Sequence, residues 1–310
     1  MLDSDVGNVA YLLQLLLSGL STGALYALFA VSFVVVWKAS SHLNLAAGEL
    51  GSLAVFAMAS LTTSLGFGVW AALAVVLVAS LGGGALLQHT LIRPADRRGI
   101  FAVVLTTLAV YLVVNAAVGL LWGTQARQAP SPFAGGSGGQ LVLLDGPPRA
   151  YLTYGDLLAL GTLAVVVGAI TIGLHRTKLG LAYRAVASNR LSASLSGIPL
   201  SRMYMAGWAV STAIAAMTAF LVGVRNGSID FQMMTPMLAF GLTAATVGGL
   251  DSIRGAVIAG LALGIVVELV PGVLTAVSGD LGLIIALVLV LLTLLVRPQG
   301  LYGTKRLERV

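Results

Sequence analysis

Two carboxylates stand inside otherwise apolar stretches of this 310-residue chain: Glu49 in LNLAAGELGS and Glu268 in GLALGIVVELVPG. An ionisable group in such a setting is costly unless it is paired, and in membrane proteins it marks a pathway or a relay by default. Either acid could couple movement of a solute to a proton or ion gradient. The favoured reading for both is an interfacial or helix–helix hydrogen bond, because each falls within a few turns of the end of its stretch, and two acids without an evident basic partner make a poor relay. Other chemistry is sparse. Cys is absent, which excludes disulfides and thiolate metal sites. His42, His89 and His175 lie near the ends of apolar stretches, without metal-ligand spacing and without a Ser/His/acid set. No G-x-x-x-x-G-K-[ST] occurs, so the chain carries no nucleotide-binding loop of its own. No catalytic residue, metal or bound cofactor is expected, and no enzyme activity.

The densest polar feature is HRTKLGLAYRAVASNRLSASLSGIPLSR, residues 175–202, with several Arg and Lys and no acid. A helix over 181–196 would align Arg184, Ser188, Ser192 and Ser196 in one polar stripe, with Ala187, Leu191 and Leu195 in an apolar stripe beside it. Gly197 suits the end of that helix and Pro199 forbids its continuation. An amphipathic helix resting on anionic lipid is one reading. The small side chains of the apolar face favour insertion into a cleft of another protein.

The elements that must hold these residues are helices in lipid. Hydrophobic residues make up 58% of the chain, charged residues 9%, and the mean hydropathy is +1.00, far from the roughly 25% charged of a soluble domain. A bilayer core of about 30 Å needs roughly 20 apolar helical residues. Apolar stretches near 9–37, 45–63, 67–91, 101–122, 153–174, 203–224, 234–250, 255–277 and 280–297 predict nine spans. The seventh is short and rich in Gly and Thr; if it is broken or re-entrant, eight remain. The fold class is therefore all-α, a polytopic helical membrane protein in a single domain, 1–310. The opening MLDSDVGNV has two acids and no basic residue, so a cleaved leader is not expected.

Alternating the loops puts Lys38, Arg93, Arg97, Arg98, Arg176, Lys178, Arg184, Arg190, Arg202, Arg254, Arg297, Lys305, Arg306 and Arg309 on one side, and Arg127, Arg149 and Arg225 on the other. The positive-inside rule then sets the N-terminus outside and the C-terminus in the cytoplasm of a plasma (inner) membrane. The formal charge of +6 lies in loops facing lipid headgroups, so no nucleic-acid partner is expected. Residues 123–152, interrupted by Pro and Gly, form an extracytoplasmic loop without regular helix; 175–202 is cytoplasmic. Gly19 and Gly23 in GLSTG, and Gly260 and Gly264 in GLALG, are small-residue patterns for close helix packing within one bundle.

Three dispersed stretches resemble the branched-chain amino acid ABC transporter permeases of the LivH type. GLAYRAVASNRLSASLSGIPLSR is similar to that family's cytoplasmic loop at Arg184, Ala185, Asn189, Ala193, Gly197 and Ile198, with Arg190 inside the same stretch. LNLAAGELGSLAVF is similar to its second-span segment at Asn44, Ala46, Gly48 and Glu49, with Ala47 where the family commonly has His. TAATVGGLDSIRGAVIAGLALGIVVE is similar to a third segment at Gly248, Gly249, Ser252, Gly255, Ala256 and Gly260, with Asp251 where Gly is common. The resemblance covers nearly the whole chain. It implies an importer permease whose loop 175–202 is the coupling helix. ATP and Mg would be bound by partner ATPase subunits. A second permease chain, paralogue or copy, and an extracytoplasmic solute-binding protein on 123–152 would complete the machine. Branched-chain amino acids are the implied solute, with urea or short amides as the alternative within the family. An ion-coupled carrier using Glu49 or Glu268 is the alternative outside it.

Overall fold

The computed structural model describes residues 2–133, 139–144, 149–273, 281–297 and 299–303, with backbone alone at 2–8 and 281. Lys305, Arg306 and Arg309, residues 134–138 and 145–148 of the outer loop, and 274–277 of the eighth stretch lie outside the described residues. Each of the nine apolar stretches is a helix. They are α1 (Leu2–Ser40), α2 (Ala47–Thr63), α3 (Val69–Asp96), α4 (Ile100–Trp122) and α5 (Tyr154–Arg176). After two short helices in the polar loop, α6 (Lys178–Ser188) and α7 (Arg190–Leu195), come α8 (Leu200–Asn226), α9 (Met234–Gly248), α10 (Ile253–Val273) and α11 (Leu281–Val296). Among the described residues six helices are long and apolar enough to cross a membrane. The other three, α2, α9 and α11, are shorter.

Burial separates the inner helices from the outer ones. In α1 94% of the most apolar window is buried, against 11% in α4 and in α5. α1 is the axis, with α8 beside it; α4 and α5 present Leu112, Val113, Leu120 and Val165 outward, as helices must that are solvated by lipid rather than by water. α1 is longer than a bilayer requires, about 58 Å at 1.5 Å per residue, and its first turns run past the apolar zone. In α3 a π turn over Gln88–Ile92 precedes Pro94. Proline has no N–H to give the ladder, and such a widened turn absorbs the mismatch.

The two glycine patterns face each other. A Cβ on Gly19 would stand 2.7 Å from the Cα of Ile265, one on Gly23 2.8 Å from that of Leu261, and one on Gly260 2.5 Å from that of Ala27. α1 and α10 thus pack backbone on backbone inside this bundle, the contact on which small residues in membrane helices depend.

The outer loop carries short strands that its Pro and Gly content did not announce. β1 (Arg127–Gln128) pairs antiparallel with β4 (Ser228–Ile229), and β2 (Gln140–Leu144) with β3 (Ala150–Thr153). Thr153 then caps α5: its Oγ1 accepts from Asp156 N at 3.1 Å while Asp156 Oδ2 accepts from Thr153 N at 3.1 Å.

Gly260→Val inserts a branched side chain into this backbone contact. Overpacking of this kind costs about 1–3 kcal/mol. The expected result is a lower thermal midpoint for the detergent-purified protein, with the same substitution at Gly161, which meets nothing, left near wild type.

Candidate functional site

At the basic end, the loop 175–202 is folded onto the bundle rather than hanging from it. One helix over 181–196 does not form. Asn189 leaves helical geometry, ends α6, and caps α7 by accepting from Ser192 N at 3.0 Å. The single polar stripe from Arg184 to Ser196 is therefore cut in two, because an Asn side chain offers the backbone a competing partner. α7 ends as the sequence suggests: Gly197 has φ +79°, Gly197 N donates to Ser194 O and Ile198 N to Ala193 O, both at 3.0 Å, and Ile198 packs with Ala193. Tyr183, Val186 and Ala193 are buried against Ala39 and Met203, and the Tyr183 hydroxyl donates to Val35 O. The opposite face shows Leu191 (71% exposed), Leu195 (80% exposed) and Arg184. Ala185 is half-buried, and Arg190 lies over the Tyr204 ring at 5.8 Å.

The same end is tied together by polar contacts. Lys38 Nζ donates to Asp251 O at 2.8 Å, and His42 Nε2 lies 3.0 Å from Asp96 Oδ1. Burial pushes the His42 imidazole below its ordinary pKa; the Asp96 carboxylate opposes that, and Arg190 adds to it. Gly248, Gly249, Ser252 and Gly255 come together as the turn between α9 and α10. Gly249 has φ +104°, Ser252 Oγ accepts from Gly255 N at 3.1 Å, and Gly248 and Gly255 touch. Leu301 N and Tyr302 N donate to Val247 O and Gly248 O, at 2.8 and 3.1 Å, so the segment after α11 seals this turn.

Glu49 is not at the edge of the membrane zone. The irregular segment 41–46 carries the chain inward from the end of α1 before α2 begins. Gly51, on the next half-turn, lies against Ala215 in the middle of α8, and Gly48 against Phe29 and Met234. Glu49 is fully buried; its Oε2 accepts from Asn115 Nδ2 at 3.1 Å, which also donates to Phe231 O at 3.3 Å. Glu49 Oε1, Ser52 Oγ and both polar atoms of the fully buried Asn44 have no hydrogen-bond partner. Asn115 was not singled out from the sequence; an Asn within an apolar stretch, YLVVNAAVG, was the available signal.

Glu268 does have a basic partner. Arg225 Nη2 is 3.9 Å from Glu268 Oε1, which also accepts from Thr22 Oγ1 at 2.8 Å. Arg225 Nη1 donates to Asp156 Oδ1 at 3.2 Å, and Nη2 to Ser18 Oγ at 3.2 Å. This cluster joins α1, α5, α8 and α10 at the end opposite Lys38. The sequence hid it because Arg225 and Asp156 both appear there as loop-edge charges.

Residues 15–294 match the sequence model of a family described as "Branched-chain amino acid transport system / permease component". The high-affinity branched-chain amino acid transport system permease protein BraD of Pseudomonas aeruginosa is 26% identical, over 98% of this chain and 99% of that one. The corresponding LivH of Escherichia coli K12 is 28% identical, over 97% and 98%. The solved structure of PsaBC from Streptococcus pneumoniae in complex with Fab overlaps 94% of this chain and 92% of that one, with a TM-score of 0.45 and 14% identity.

Three outcomes follow from these contacts. Folded His42 resists protonation, so as pH falls below the free imidazole value of about 6.5 the unfolded chain takes up a proton that the folded chain refuses, and stability drops. The thermal midpoint should fall between pH 7.5 and 5 (values set by that ~6.5 pKa) more in wild type than in His42→Asn. In the outer cluster, Arg225→Gln strands two carboxylates and is expected to cost about 2 kcal/mol, below the range for a fully buried pair because the cluster is partly exposed. Glu268→Gln keeps an acceptor for Thr22 and is expected to change the thermal midpoint little.

Proposed function

Because this chain belongs to the family of permease components of branched-chain amino acid transport systems, we propose that it is the membrane-spanning subunit of an ATP-driven importer of branched-chain amino acids. Its basic end faces the cytoplasm, with the N-terminus outside and the C-terminus inside. ATP and Mg belong to separate ATPase subunits, which bind the α6–α7 loop. A second permease chain, a paralogue or a copy, shares the pathway, and a solute-binding protein delivers to the side of residues 123–152.

The observation that carries this reading is the two-faced loop. Tyr183, Val186 and Ala193 anchor it to α1 and α8, while Leu191 and Leu195 are exposed on the opposite face. Exposed leucines on a rigid element beside Arg184 are what a protein groove takes up, with a few buried apolar anchors carrying most of the energy. A loop anchored in this way transmits displacement: when the ATPases close on ATP, the pull on α6 and α7 reaches α1 through the Tyr183–Val35 hydrogen bond rather than being lost in a flexible linker. The chain supplies positioning and a pathway, and the nucleotide chemistry is done elsewhere.

Leu191→Asp with Leu195→Asp tests it. Both side chains point away from the bundle, so the thermal midpoint should be unchanged. Co-purification of the ATPase subunits should be lost and ATP-driven leucine uptake in proteoliposomes should fall at least about tenfold, the loss of one hot-spot contact or more. Retention of both, or uptake by this chain without an ATPase under an ion gradient, overturns the reading. Gly197→Arg is a poorer probe, since a side chain at φ +79° strains α7 itself.

A further inference from the structure

A helix that spans a bilayer hides its ends in water; one that starts inside the bilayer leaves its first N–H groups and its positive dipole end there. α2 and α9 both start inside. Segment 41–46 leads into α2 from the basic end, and 227–233 leads into α9 from the opposite end. Their first turns meet: a Cβ on Gly48 would stand 3.3 Å from Met234 O. The depth follows from neighbouring helices. Asn115, bonded to Glu49, lies about 10 Å along α4 from Trp122, at 1.5 Å per residue, and Trp122 Nε1 donates to Ser60 Oγ near the far end of α2. The junction is thus well inside the membrane from either face.

This junction holds polar groups that nothing in the bundle satisfies. Glu49 Oε1 and both polar atoms of Asn44 are buried without partners, although leaving such groups unpaired costs about 1–3 kcal/mol each, more for a charge. The N-cap of α2 is Ala46, whose side chain makes no cap hydrogen bond. The junction therefore offers an acceptor, Glu49 Oε1, beside donors, the Asn44 amide and the N–H groups of Gly48 and Glu49, those of Ala47 and Leu50 being bonded to Asn44 O and Ala46 O. The next residues along each helix, Leu50 of α2 and Val114 of α4, wall an outward-facing apolar groove of about 860 Å³, which neither Glu49 nor Asn44 lines.

We infer that the α2–α9 junction is an intramembrane binding site for the zwitterionic head of an α-amino acid, with the ammonium on Glu49 and the carboxylate on the Asn44 amide and the first turn of α2. The inference rests on the proposed import of amino acids and gives it a place in the bundle. Opposite charges on one carbon match opposite polarity at one junction, which is how discontinuous membrane helices hold charged solutes. A neutral solute such as urea satisfies neither the carboxylate nor the dipole. Glu49 is then a recognition residue rather than a proton relay, and Asn115 a positioning residue that fixes one of its oxygens and leaves the other for the solute.

The test is direct binding of radiolabelled leucine to the purified permease–ATPase complex without the solute-binding protein, with leucine uptake by the complete transporter measured alongside. Wild type should bind leucine saturably. Isoamylamine, which lacks the carboxylate, and 4-methylpentanoate, which lacks the ammonium, should each compete at least about tenfold less well than leucine, the loss of one charge-assisted contact. Glu49→Gln and Asn44→Ala should each weaken leucine binding by a similar factor while eluting as monodisperse complexes; Glu268→Gln, outside the junction, should bind like wild type. Uptake without any leucine binding, binding indifferent to Glu49 and Asn44, or equal competition by the two analogues overturns the site while leaving the import function standing. Absence of branched-chain amino acid uptake by the complete transporter overturns the function itself.

Discussion

The backbone contact between α1 and α10 is the constraint on which the rest of the bundle depends. In lipid, apolar side chains gain little by leaving one another's company for hydrocarbon, so helices associate where their surfaces fit closely enough for dispersion and for satisfied polar contacts. Gly19 and Gly23 against Gly260 and Gly264 permit that fit along the length of α1. With α1 held as the axis, α8 packs on its other side, and contacts at three depths reach it: Ser18 and Thr22 at one end, Phe29 beside the α2–α9 junction, Val35 and Lys38 at the basic end.

Charge is distributed by depth. At the end opposite the basic loops, Arg225 neutralises Asp156 and Glu268 together, so these carboxylates read as structural ties among four helices. At the basic end the imidazole of His42 is held by Asp96. Among the described residues, Glu49 in the middle of the bundle is the carboxylate that keeps a buried oxygen without a partner. The two acids that look alike in the sequence are therefore different in kind: one is satisfied by a cation from another helix, the other only by a neutral amide.

The α6–α7 loop and the α2–α9 junction are connected by rigid elements. Tyr183 bonds α6 to the backbone of α1 near Val35, and Phe29 of the same helix contacts Gly48 and Gly241 at the first turns of α2 and in α9. A push on the loop has a continuous packed route to the junction, through buried side chains. Such interiors transmit displacement because they are close-packed.

The sequence by itself determined the class of structure: apolar length set nine helices, Lys and Arg placement set two unlike ends, and Gly spacing set a close helix contact. It also showed where a loop helix stops, because Gly197 and Pro199 act through the local backbone. Only the tertiary structure decided the break at Asn189, the partner of Glu268 and the depth of Glu49. Local propensity does not record whether Asn189 will cap one helix or lie within another. Arg225 reaches Glu268 across helix α8 to α10, a meeting that chain order does not encode. The depth of Glu49 depends on segment 41–46 folding back into the bundle, which its neighbours α1, α8 and α9 impose by the space they leave. Periodicity and charge along a chain specify what each segment is soluble in; which polar groups meet is a property of how the segments pack.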